Sequence, residues 1–276
     1  MTIMEIITFM QKSQVVIHGQ LINYYFSDKK SDLTLIFLHG WRCEALAWQG
    51  IANKVEGDNI SFYLLDLPGF GGSPAPKKPF GVGDYAEIVA GFIKKNNLNN
   101  VVLIGHSFGG RIAIKIAAEN PNYLKKIILV DSAGLKTNKS LKWKKAIAKI
   151  AKPFLKPKFM LTLKEKLYQK IGAGDYTATP FLKETFLKVI GEDLTSDLEK
   201  IKISTLLVWG ENDKETPLAM GKIMQKKIKN SRLEILENAG HFSFLDKPDE
   251  FFNVILRVIP KDLNYRDRDS SGVPSE

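Results

Sequence analysis

The sequence predicts an α/β protein: a mostly parallel, doubly wound sheet with a helical cap inserted into it. Three observations carry that expectation. Short runs that are apolar on both faces recur along the chain, as buried parallel strands require. Stretches with helical periodicity lie between them, the alternation that builds a parallel sheet. That alternation breaks once, between about residues 135 and 200, where no strand pattern occurs.

Taken in order, apolar runs at 15–17 and 21–26 flank His18-Gly19-Gln20 and read as an early hairpin. The run at 33–38 ends in His39-Gly40. The next, at 61–65, ends at Asp66, before a turn cluster of Pro68, Gly69, Gly71 and Gly72. Strands are then expected at 101–104, 126–130, 205–209 and 232–236, with helical patterns at 85–95, 108–119, 218–229 and 250–258. The segment 135–198 reads as a separate helical insertion, interrupted by Pro153, Pro157, Gly172, Gly174 and Pro180. Residues 1–134 and 199–260 then form the core. Residues 261–276 are polar and aperiodic and are expected to be a disordered tail outside the fold.

Composition narrows the class. With 276 residues, 44% hydrophobic and 25% charged, the chain is long enough to bury a large core and is neither collagen-like nor a disulfide-stapled mini-protein. One cysteine, Cys43, cannot form an internal disulfide, and no base is placed to activate it. No apolar run reaches the roughly 18 residues of a membrane span. The first residues lack a basic start and carry Glu5, so the expectation is a cytoplasmic protein.

The net charge of +10 comes from one stretch. Residues 136–170 hold 12 lysines and one acid, Glu165, whereas the rest of the chain holds 28 basic and 29 acidic residues. The stretch contains no arginine, which argues against nucleic acid, whose bidentate recognition favours Arg. A solvated helical face explains it, and so does attraction to an acidic carrier or an anionic membrane surface.

The chemistry concentrates at the carboxyl ends of the expected strands, where parallel sheets bind ligands. There stand His39-Gly40-Trp41, Ser107, Asp131, Asp213 and His241. Gly105-His106-Ser107-Phe108-Gly109 matches G-x-S-x-G between a buried strand and an amphipathic helix. A serine on so sharp a turn is strained, and side chains at 105 and 109 would clash with the flanking elements. The helix that follows aims its N-terminal dipole at a developing oxyanion. No lysine follows as in a phosphate-binding P-loop.

With these motifs in this order, the chain resembles the α/β-hydrolase-fold serine hydrolases over about residues 19–260. The resemblance also rests on Asp66-Leu67-Pro68-Gly69-Phe70-Gly71-Gly72-Ser73, Gly210-Glu211-Asn212-Asp213 and Ala239-Gly240-His241-Phe242. Of four histidines, His18 lies on the hairpin, His39 braces its turn, and His106 should point away from its neighbour Ser107. His241 is left as the base, in the chain order Ser–Asp–His expected of this fold. Asp213 would orient it, with Asp131 the alternative acid and Asp66 structural. Backbone N–H groups of Trp41 and Phe108 would form the oxyanion hole. The scattered histidines and single cysteine offer no metal set, and no cofactor is implied.

A serine nucleophile separates the chain from dehalogenases and epoxide hydrolases of this fold, which use aspartate there. Hydrolysis of a small-molecule ester with an apolar acyl or alkyl group is the expected reaction. Trp41, Phe108, Leu135, Trp143, Phe154, Phe159 and Phe242 are the expected lining, though each would serve equally as core. The alternatives are an acyl-carrier-linked ester esterase, a C–C bond hydrolase of the meta-cleavage type, and a ligand-binding receptor without turnover.

Overall fold

The structure is a computed structural model and describes residues 10–29, 31–56, 60–136 and 180–257. Trp143, Phe154 and Phe159, most of the lysine-rich stretch and the tail at 261–276 lie outside the described residues.

Among the described residues, eight strands form one sheet in the order β1-β2-β4-β3-β5-β6-β7-β8. β1 (Gln11–Ile17) and β2 (Gln20–Ser27) make the hairpin, and β2 pairs antiparallel with β4 (Ser61–Leu65). All other pairings are parallel, through β3 (Thr34–Leu38), β5 (Val101–His106), β6 (Leu124–Val130), β7 (Ser204–Gly210) and β8 (Ser231–Leu236).

The two-residue period of these strands explains why their runs are apolar throughout. Ile36, Leu38, Leu103, Ile127, Leu129, Leu207 and Trp209 enter the core on one face of the sheet. Leu35, Phe37, Val102, Ile104, Ile128, Val130, Leu206 and Val208, one residue out of step, enter the core on the other. Helices cover both. α2 (Val82–Lys95), α3 (Phe108–Ala118) and α6 (Leu218–Lys227) supply Tyr85, Val89, Phe92, Ile112, Ile116 and Met224 to the first core. α1 (Gln49–Glu56), α7 (Ser243–Asp246) and α8 (Pro248–Leu256) supply Ile51, Val55, Phe244, Phe251 and Ile255 to the second.

α2 shows how the local sequence makes such a helix. Its buried residues Val82, Tyr85, Ala86, Val89, Phe92 and Ile93 recur at three- and four-residue spacing. Asp84 accepts the Gly81 N–H (2.7 Å) at the start, and Lys94 and Lys95 face the negative dipole end at the finish. By contrast α1 and α7 are absent from the helical patterns read in the sequence. Over eight and four residues, an apolar stripe spans too few turns to stand out.

Of the segment expected to be an insertion, residues 135–136 and 180–198 are described. α4 (Lys183–Gly191) and α5 (Thr195–Lys200) follow a single 3₁₀ turn, and α5 straddles the expected boundary at 198. Leu182, Val189, Leu194 and Leu198 join the core beside α2 and α3. The Arg111 guanidinium of α3 donates to the Glu192 carbonyl (3.0 Å), and Phe80 N–H donates to Thr185 (3.1 Å). Among the described residues no helix is long and apolar enough to cross a membrane.

Candidate active site

The site lies at the carboxyl ends of β3, β5, β6 and β7. Between β5 and α3 the chain turns within one residue, and Ser107 takes φ 49° and ψ −105°. That left-handed backbone is costly for a residue with a Cβ, and its surroundings hold it. Gly105 and Gly109 make the turn possible. A Cβ on Gly105 would collide with the Gly109 carbonyl, and one on Gly109 would stand 2.7 Å from the Leu38 carbonyl carbon of β3. The serine is thereby lifted over the sheet edge, half-buried, at the start of α3.

His241 arrives on the loop after β8. Its Nε2 is 3.1 Å from Ser107 Oγ and its Nδ1 is 2.9 Å from Asp213 Oδ2. Asp213, in the loop after β7, is buried. Its Oδ1 accepts the N–H groups of Glu215 (2.8 Å) and Thr216 (3.0 Å), and its Oδ2 also accepts the Thr216 hydroxyl (2.7 Å). Burial alone would raise its pKa, but these bonds, led by His241, hold the carboxyl below its ordinary range. An ionised Asp213 only accepts, so Nδ1 carries the proton. The Nε2 lone pair of the neutral ring then faces the serine hydroxyl. For His241, burial lowers the pKa, yet Asp213, Glu215 and Asp131 together raise it above 6.5.

Asp131 ends β6 but does not reach the ring by a hydrogen bond. Its Oδ1 accepts Gly210 N–H (2.7 Å), and its Oδ2 accepts the N–H (3.1 Å) and hydroxyl (2.6 Å) of Ser243. It therefore ties the end of β7 to the start of α7, two residues beyond His241. Burial pushes its carboxyl up to about 7 despite these donors.

His39 and His106 hold loops in place. His39 donates from Nδ1 to the Gly40 carbonyl (2.7 Å) and accepts Leu67 N–H at Nε2 (3.0 Å), bracing two loops. His106 points beneath the His241 loop, where its Nε2 donates to the His241 carbonyl (2.7 Å). Burial lowers both, to about 4 and about 3, so both stay neutral. Asp66 accepts Ala45 N–H (2.7 Å), Gly72 N–H (2.8 Å) and the Asn23 amide (2.6 Å), which fixes the glycine-rich turn.

Phe108 opens α3, so its N–H is among those with no partner inside the helix. The Gly40-Trp41 backbone passes over the same turn; a Cβ on Gly40 would lie 3.5 Å from Ser107 Cβ. The Trp41 ring packs against Phe108 (centroids 5.1 Å apart), Phe70 (4.9 Å) and Phe186 (5.1 Å). Of the expected lining residues, Trp41 and Phe242 are half-buried at the site, whereas Phe108 and Leu135 are buried in the core. A groove of about 680 Å³ adjoins these loops, lined by Arg42, Cys43, Phe70, Phe242 and Leu245 among others. A larger one, about 1040 Å³, lies between the β1–β2 turn and α2 and includes none of Ser107, Asp213 and His241.

Thr216, Glu215 and Ser243 were not among the residues singled out from the sequence. Thr216 carried one signal, a polar side chain directly before Pro217 in the loop of Asp213. Glu215 and Ser243 carried none.

The model of the Alpha/beta hydrolase family matches residues 35–254. Monoacylglycerol lipase ABHD6 of Mus musculus is 26% identical over 250 residues, covering 81% of this chain and 74% of that protein. The pimeloyl-[acyl-carrier protein] methyl ester esterase of Aeromonas hydrophila is 26% identical over 246 residues, covering 82% and 94%. Among solved structures, the esterase EaEST of Exiguobacterium antarcticum superposes with a TM-score of 0.72 at 22% identity, covering 90% of this chain and 99% of that one.

Proposed function

The chain belongs to the alpha/beta hydrolase family, and we propose that within it this protein is a serine hydrolase cleaving carboxylic esters with a small or medium apolar acyl or alkyl group. The observation that carries the reading is the continuous chain Ser107 Oγ, His241 Nε2, His241 Nδ1, Asp213 Oδ2, with links of 3.1 and 2.9 Å. The relatives named for ester and monoacylglycerol substrates support the same reaction type.

In the first step His241 Nε2 takes the Ser107 proton while Oγ attacks the ester carbonyl. The carbonyl oxygen becomes an anion facing the backbone N–H groups of Phe108 and Trp41. Asp213 stabilises the imidazolium without taking its proton. His241 then returns that proton to the leaving alcohol as the C–O bond breaks. Water, deprotonated by the same ring, attacks the acyl-enzyme; the acyl C–Oγ bond breaks, the ring returns its proton to Ser107 Oγ, and the acid is released. The described part of the expected cap, residues 180–198, reaches this site where Phe186 packs on Trp41.

One observation favours a second, narrower reading. The 12 lysines of residues 136–170, together with the likeness to an acyl-carrier ester esterase, suit a substrate delivered on an acidic carrier. Such delivery is screened by salt, so carrier-linked turnover independent of salt would remove it.

The test of the main reading is fluorophosphonate labelling with intact-mass detection. A single adduct on the wild type, none on Ser107→Ala, and loss of turnover with an unchanged melting temperature are expected. A Ser107→Ala protein that keeps normal turnover would overturn it.

A further inference from the structure

His241 Nε2 has two neighbours that compete for it. Ser107 Oγ lies 3.1 Å away, and on the solvent side a carboxylate oxygen of Glu215 lies 3.4 Å away. The nitrogen holds either a lone pair or one proton. A lone pair accepts the serine hydroxyl and gains nothing from a carboxylate. A proton can be shared with Glu215, which then neutralises the ring's positive charge. Glu215 thus discriminates between the two protonation states of the base.

Its position is built into the loop. The Glu215 N–H donates to Asp213 Oδ1 (2.8 Å), so the backbone that orients Asp213 also sets where the Glu215 side chain starts. Among the described residues, the other charged or titratable groups facing the ring are Asp213 from the same loop, Asp131 from the end of β6 and His106 from the end of β5. Asp213 is buried against Nδ1, Asp131 is bonded to Gly210 and Ser243, and His106 is neutral. Glu215, with its side chain 66% exposed, is the group of this set that solvent and salt reach.

We propose that Glu215 is a positioning residue that stabilises protonated His241 from the solvent side and so sets the pH below which Ser107 loses its base. The inference rests on the serine-hydrolase reading above. Two effects of opposite sign follow from the one contact. In the free enzyme Glu215 holds the ring in its inactive, protonated form at mildly acid pH. During attack it stabilises the imidazolium that forms, which favours turnover at high pH. At low pH the two cancel, because the ring is protonated in both the ground state and the transition state. Removing Glu215 should therefore leave the low-pH rate nearly unchanged and lower the plateau. Loss of structure would lower the whole curve instead.

The experiment measures kcat/KM for p-nitrophenyl butyrate from about pH 5 to 9, at low salt and at about 1 M NaCl, for wild type, Glu215→Gln and Ser107→Ala. For an exposed pair the acid limb of Glu215→Gln should move down by roughly 0.2–0.7 pH unit, with a plateau about two- to fivefold lower. High salt should move the wild-type limb towards that of the variant and leave the variant unmoved. An inert Ser107→Ala with an unmoved Glu215→Gln limb overturns the inference and leaves the serine-hydrolase reading standing. A Ser107→Ala that keeps turnover overturns that reading, whatever Glu215 does. Should Glu215→Gln not fold, the wild type decides: a limb indifferent to salt overturns the inference.

Discussion

Gly83 and Gly109 occupy equivalent places, each the second residue of its helix, in α2 and α3. Replacing either with alanine restricts the unfolded chain and should stabilise by roughly 0.4–1 kcal/mol if nothing else changes. At Gly83 nothing else does, since a Cβ there meets no atom within 4 Å. At Gly109 the Cβ would stand 2.7 Å from the Leu38 carbonyl carbon and 2.8 Å from Leu38 Cβ. Comfortable carbon contacts are roughly 3.5–4.0 Å, so α3 and β3 must part by about 1 Å. The obstacle is partly main chain of a central strand, which cannot rotate aside. Overpacking of this kind costs roughly 1–3 kcal/mol, which outweighs the chain-entropy gain. The same movement displaces Ser107 and the Phe108 N–H, and a shift of about 1 Å at a reacting centre costs about 10²-fold in rate. Gly109→Ala should therefore melt roughly 2–8 °C lower and react with fluorophosphonate about 10²-fold more slowly. Gly83→Ala should melt slightly higher and react at the wild-type rate. Thermal melts with labelling time courses measure both. Gly109→Ala with wild-type stability and labelling would refute the claim that the helix presses on the β3 backbone.

Three further outcomes are expected. Asp213→Asn should lower kcat by roughly 10⁴-fold, because an amide neither enforces the Nδ1–H tautomer nor stabilises the imidazolium. Asp131→Asn, whose partners are Gly210 and Ser243, should lower it less than about tenfold; steady-state kinetics showing the larger loss at 131 would reverse the two roles. The pH profile should also place the acid limb of kcat/KM above pH 6.5. Asp213 and Glu215 raise the pKa of His241 beyond its burial penalty, so the neutral base is lost as pH falls through that raised value. A limb centred below 6.5 would contradict the arrangement of carboxylates around the ring.

The two-faced runs of β3, β5, β6 and β7 were legible before any coordinates, because burial on both faces of a sheet is a property of consecutive residues. So was the turn at Ser107, where glycines at 105 and 109 report a close approach of backbones. Helices α1 and α7 were not, being too short for a period to show. The sequence preferred Asp213 to Asp131 through the family resemblance, because both follow the end of a strand and position alone does not separate them. In the fold the difference is which loop turns back on the ring. Asp213 stands three residues beyond Gly210, where Thr216 and the Glu215 N–H turn its carboxylate onto His241. Asp131 directly follows β6 and is drawn to Gly210 and Ser243 instead. His106, Thr216 and Glu215 tell the same story, since their partners lie on loops after other strands or depend on how one loop folds. Local pattern records whether a residue is buried and on which period. The meeting of residues 107, 213 and 241 is a product of strand order, parallel register and the course of three loops, and only the assembled sheet supplies those.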